Sequence, residues 1–142
     1  MKIRISELTE LQLDYLIANI EGRTIRLDPM GFGKQSAGGY WIWEETPSGM
    51  GGILIRKSVY MQIGSTYSPT KRWEQAGPII DRLEGFQLKT WLESNPESKC
   101  EAHIHNHQGD WVAFGPTPLV AIMRCIVNRA YGDEVDIPEV LA

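Results

Sequence analysis

The chain has 142 residues, 42% of them hydrophobic and 23% charged, with a formal net charge of −4 at pH 7. That length suits one α+β domain, read as 1–142, with enough apolar surface for a core. The negative balance argues against a nucleic-acid polymer as partner, because neutralising phosphates takes an excess of cations. A small anion in a local positive pocket stays open.

Met1–Ser6 alternates apolar Ile3 and Ile5 with Lys2 and Arg4, as a short half-buried strand does. Helical spacing follows over about 8–21, opened by Glu7, Thr9 and Glu10 and stopped by Gly22. Thr24–Asp28 reads as a strand ended by Pro29, and 29–39 as a glycine-rich loop. Tyr40–Glu45 and Ile53–Lys57 read as a hairpin across a Thr46–Gly52 turn, with Val59–Ile63 a further short strand. A short helix is expected near 78–84, with Pro78 at its start and Gly85 as its stop. Phe86–Leu92 suits a strand, Ser94–Lys99 a polar turn, and Cys100–Asn106 with Trp111–Phe114 a second hairpin. The last helix, 118–131, carries Leu119, Ile122, Met123, Ile126 and Ala130 on one stripe and ends at Gly132. The sum is α+β: an antiparallel sheet of about five to seven short strands packed with two main helices and one short one.

Cys100 and Cys125 stand outside any CxxC motif and make no disulfide framework, which points to a reducing compartment. No stretch approaches the roughly 18 apolar residues of a membrane span. The first residues lack the apolar run of a signal peptide. The expectation is a soluble, cytoplasmic chain with no membrane partner.

Two blocks carry a resemblance. Tyr67-Ser68-Pro69, Trp73 and Gly77-Pro78-Ile79-Ile80 resemble the YSPSxxWxxGGPII-like block of the NinX-like phage proteins. Gly115-Pro116-Thr117-Pro118-Leu119, with Ala121 and Met123-Arg124, resembles that family's GPTPLIAAMR-like block. The Ser-Glu-Leu-Thr string at 6–9 and the Gly132-Asp-Glu-Val135 close are similar too. Ala76 and Ile122 depart from the family, which often has Gly and Ala there. The resemblance implies a small protein of tailed phages or prophages that acts inside a bacterial host. It implies no chemistry, and the histidines at 103–107 are not part of it.

The second block is also physically informative. Thr117 is a good N-cap and Pro118 fits the first helical position. A helix start so aimed attracts anions through free amides and the helix dipole. Arg124 lies seven residues on, two turns along the same face, where a guanidinium can meet an anion. Tyr67 and Trp73 offer flat rings for stacking on a base. Lys71 and Arg72 lie between them. Tyr67, Ser68, Lys71, Arg72, Trp73, Gly77, Gly115, Thr117 and Arg124 therefore form the candidate ligand site. A structural reading stands beside it: a cap at Thr117 and Pro118, Trp73 in the core, and a structural salt bridge from Arg124.

His103, His105 and His107 share one face of an extended strand, and a His-x-His pair can hold zinc. Cys100, Glu101 and Asp110 are the nearest further ligands in sequence. A solvated strand face explains the pattern as well, so no metal or other cofactor is assigned. Trp41 and Trp43 share a strand face opposite Tyr40, as core or as partner surface. GxSxG, P-loop and dinucleotide motifs are missing from the sequence, and no catalytic residue is assigned.

The first functional reading is a phage accessory protein that binds a small anionic ligand, a nucleotide by preference, without catalysis. Such a protein can sequester a host defence signal by mass action. The alternative is an interaction module that inhibits or redirects a host protein. A His-dependent metallohydrolase ranks last. A pocket shared between copies encloses a small ligand better than one small domain, so a homo-oligomer is expected.

Overall fold

The structure, a computed structural model, describes residues 1–33, 38–50, 53–91 and 95–142, with the backbone alone described for 46–50 and 53–57. In chain order it forms β1 (Lys2–Arg4), α1 (Glu10–Ile20), β2 (Ile25–Leu27), β3 (Tyr40–Met50) and β4 (Ile53–Gln62). Then come α2 (Trp73–Asp81), β5 (Phe86–Thr90), β6 (Cys100–Asn106), β7 (Gly109–Gly115), α3 (Pro118–Tyr131) and β8 (Glu134–Asp136). The α+β class is as expected. The strands, however, sort into three small antiparallel sheets, β1-β8, β2-β3-β4 and β5-β6-β7, instead of one. The acidic segment after Gly132 is itself a strand: Lys2 faces Asp136 and Arg4 faces Glu134 across the β1–β8 pair. Opposite charges at facing positions favour that register.

Two boundaries differ from the sequence reading for physical reasons. The first hairpin pairs continuously from Trp41 opposite Gln62 to Met50 opposite Ile53. Ladder bonding thus overrides the turn propensity of the Pro and Gly residues. Positions 46–50 of the expected Thr46–Gly52 turn belong to β3 and 51–52 lie outside the described residues, while the expected Val59–Ile63 strand is the far end of β4 as far as Gln62. The loop at 29–39 is likewise described only in part, with 34–37 outside. At its near end Phe32 and Gly33 donate their amides to the Asp28 carboxylate. Positions 92–94, between β5 and the polar turn, also lie outside. The short helix starts at Trp73 and carries Pro78 in its interior. Its first turn is tied to the preceding loop by Gln75, whose side chain accepts from the Ser68 amide (2.6 Å) and donates to the Thr66 carbonyl (2.7 Å).

Every residue from Leu119 to Val127 is buried, so α3 is the centre of the fold. One side packs on Ala102, Ile104 and Ala113 of the β5-β6-β7 sheet, and α1 contributes Leu13 and Ile17. Each of the leucine and isoleucine side chains stabilises by about 1.5–3 kcal/mol on burial, the alanines by less. Ala130, expected on the stripe, is exposed in the last turn. At the other end of α3, a Cβ on Gly115 would lie 2.8 Å from the Ala121 amide nitrogen. Only glycine lets the helix start sit directly against the end of β7. A second cluster of Ala18, Ile42, Ile63 and Tyr67 joins α1 to the β2-β3-β4 sheet. Among the described residues, no helix is long and apolar enough to cross a membrane.

Candidate functional site

The segment Tyr67–Thr70 is buried throughout and is fastened to α1 by one carboxylate, Asp14. Ser68 Oγ donates to Asp14 Oδ2 (2.7 Å) and the Thr70 amide donates to Asp14 Oδ1 (3.1 Å). The Ser68 carbonyl accepts from the amides of Lys71 and Arg72 and so turns the chain. Burial raises the Asp14 carboxyl from its ordinary 3.8 to about 6, against the lowering effect of those hydrogen bonds. This anchor delivers Lys71 and Trp73 to the surface at the start of α2.

The second block arrives from the other direction. β7 ends at Gly115, and Thr117 then caps α3, its Oγ1 accepting from the Val120 amide (3.2 Å). An open hollow of about 290 Å³ forms where the blocks meet, lined by Glu10, Lys71, Trp73, Thr117, Pro118 and Leu119, with Thr70 beneath. Trp73 is 55% exposed, so its ring is available for contact. Lys71 Nζ stands 3.7 Å from Glu10 Oε2. Exposed pairs of that kind are worth about 0–1 kcal/mol, so an incoming anion can take the ammonium over. The helix start offers fewer amides than its sequence suggests. Pro118 has none, Val120 is capped, and Ala121 donates to the Thr117 carbonyl, which leaves Leu119.

The other candidate residues go elsewhere. Tyr67, expected to stack on a ligand, is 4% exposed because its ring fills the second cluster, and burial raises its phenol above the usual range. Ser68 is consumed by Asp14. Arg72 donates to the Ser65 carbonyl and pairs with Glu74 at 3.8 Å. Gly77 sits within α2 with open space where a Cβ would stand, and Gly115 acts in helix packing.

Arg124 does not enter the hollow. Its guanidinium donates to the carbonyls of Phe114 (2.9 Å) and Leu8 (3.1 Å). It also lines a separate cavity of about 440 Å³ with Arg4, Ser6, Phe114, Asn128 and Glu134. Four distant segments build that cavity, and no local pattern announces it.

The family profile described as Bacteriophage P22, NinX matches residues 4–129, so it takes in both blocks and Asp14. The chain belongs to the NinX family. It is thus a phage accessory protein. A search of curated proteins finds no match. Within this NinX-family chain, Asp14 is the site residue that sequence reading missed. A lone acid among Leu13, Leu16 and Ile17 is a sequence signal that could have found it, because a carboxylate inside an apolar helix face needs partners.

The histidines divide. His103 and His105 project from the outer face of β6, whereas His107 falls in the turn after Asn106, because the strand ends one residue too soon. Asp110 takes the place His107 was expected to hold. His103 Nε2 is hydrogen-bonded to Asp110 Oδ1, and His105 Nδ1 lies 3.3 Å from the same oxygen. The bond from His103, above all, holds the Asp110 carboxyl below its ordinary value. Cys100 and Cys125 are free and buried. Burial pushes the Cys125 thiol up to about 11, which removes it as a nucleophile near neutral pH.

Proposed function

We propose that the hollow between Trp73 and the start of α3 binds a small anionic ligand bearing a flat ring, with a nucleotide as the fitting class, and does not convert it. What carries this reading is that Trp73 and Lys71 line one surface with Thr117–Leu119, more than 40 residues away in the chain. The indole supplies a stacking face, Lys71 a charge, and Leu119 an amide beside the positive end of the α3 dipole. A hollow of about 290 Å³ is at the small end for a ligand site and covers one side of a nucleotide. A second copy of the chain closing over the other side fits that size. In a phage-infected cell, an abundant binder of this kind removes a host defence nucleotide by mass action alone.

Calorimetry of the purified chain against cyclic and linear nucleotides tests the proposal. One or more should bind, and Trp73→Ala should weaken that ligand by about 1–3 kcal/mol, the usual worth of base stacking. The exposed position of Trp73 means that the variant keeps its fold. No heat with any nucleotide would sink the reading.

A specific observation favours the protein-partner alternative. Trp43 packs on Tyr60 at 4.3 Å and on Trp41 at 6.3 Å, along the face of β3–β4 opposite buried Ile42. Tyr40 faces the other way, against Tyr15. An aromatic ladder of this kind is suited to a protein interface. A stoichiometric host partner that is retained from lysate, and lost in Trp43→Ala, would support it over the ligand reading.

A further inference from the structure

We infer that His103, His105 and Asp110 form an open-faced site for one divalent first-row transition ion, of the zinc, cobalt or nickel class. Their ligand atoms all lie within 4.8 Å of one another. The arrangement follows from the hairpin. Cys100, Ala102 and Ile104 of β6 turn inward to the core, which sends His103 and His105 outward two residues apart. Asp110 is the cross-strand partner of His105. Three donors thus come from two hydrogen-bonded strands and need no loop to hold them.

The donor chemistry selects the ion. Two imidazoles and one carboxylate suit zinc and its neighbours, whereas magnesium and calcium prefer oxygen alone. Tetrahedral bonding with metal–nitrogen distances of about 2.0–2.1 Å sets the donors about 3.3 Å apart. His105 and Asp110 have side chains 72% and 58% exposed, so rotation about their side-chain bonds can close the remaining gap. The ion would be held by His103 Nε2, His105 Nδ1 and Asp110 Oδ1. Both nitrogens now face one carboxylate oxygen. On binding, each ring carries its proton on the nitrogen away from the ion, and the hydrogen bonds to Asp110 give way to the metal. Glu101, next on the same face, is engaged by the Trp91 indole N–H at 3.1 Å. Three protein ligands leave a coordination position for water or an external group.

Untagged protein dialysed against chelator and titrated with zinc chloride by calorimetry, and with cobalt(II) by visible absorption, tests the site. The expected result is one ion per chain, cobalt bands of a nitrogen–oxygen site, and no response to magnesium. His105→Ala and Asp110→Asn should each weaken binding at least about tenfold, the minimum seen even for outer-shell changes, with an unchanged circular dichroism spectrum. His107→Ala should bind as the parent does. Absence of uptake, uptake that survives His105→Ala, or uptake that falls equally with His107→Ala would overturn the inference. The site shares no residue with the Trp73 hollow, so its failure leaves the nucleotide proposal standing.

Discussion

Replacing Asp14 with Asn is expected to change how stability responds to pH, and replacing it with Ala to lower stability by about 2–4 kcal/mol near pH 4. The folded carboxyl titrates at about 6 because it is buried, and the unfolded one at 3.8. Below 3.8 it is protonated in both states and burial costs nothing. Above about 6 it is ionised in both, and the folded state alone carries the cost of a buried charge. Stability from this group is therefore full in acid and lost as pH rises through about 6. The gap corresponds to about 3 kcal/mol, at about 1.4 kcal/mol per pH decade. Other carboxylates act in the opposite sense: the Arg23 hydrogen bond holds Glu44 below its ordinary value, for example. The parent-minus-Asn difference isolates Asp14. Urea unfolding of both proteins from pH 4 to 8 should show the parent losing about 2–2.5 kcal/mol relative to Asp14→Asn, since part of the full loss has already accrued at pH 4, and a flat difference would mean that the carboxyl is solvated. Ala behaves differently, because it strands the Thr70 amide and loosens the Ser68 hydroxyl, each worth about 1–3 kcal/mol when left unpaired.

The same anchor explains which parts of the site were legible in the sequence. The Thr117 cap, the Pro118 start and the Gly132 stop are local devices, and α3 lies where they put it. The second hairpin was legible because its alternation spans both strands. Tyr67 was not, since the same ring suits a ligand or a core. What decides is Ile42, Ile63 and Ala18, which meet it only in the folded chain. Pro78 misled for a related reason: proline favours a helix start, but the Gln75 ties to Ser68 and Thr66 begin α2 five residues sooner. His107 shows how much one residue matters. A two-residue turn replaces it with Asp110 from the opposite strand, and a row of histidines becomes a mixed cluster. The hollow itself needed tertiary structure, because its walls come from α1, the 67–73 segment and α3.

Arg124→Met is expected to lower stability by about 2–4 kcal/mol, and to affect ligand binding only through the fold. The side chain is 9% exposed and runs to two carbonyls instead of a carboxylate. Burial holds its pKa below the ordinary value, yet a guanidinium stays charged at any working pH. Hydrogen bonds to a charged group contribute about 1.5–3 kcal/mol each, and relief from burying the cation offsets part of their loss. Methionine keeps much of the aliphatic packing, so the deficit reports the two carbonyls. Those carbonyls have a purpose: Leu8 leads into Thr9 and Glu10, and Phe114 into Gly115 and Thr117. The guanidinium thereby fastens two walls of the hollow from behind, as a positioning residue. Lysine in its place retains the charge but not the planar fork, and should fall between parent and Met. Thermal unfolding beside nucleotide calorimetry separates the roles, with Trp73→Ala losing affinity at unchanged Tm and Arg124→Met losing Tm. An Arg124→Met protein of parental Tm that no longer binds would return the guanidinium to the ligand and refute the clamp.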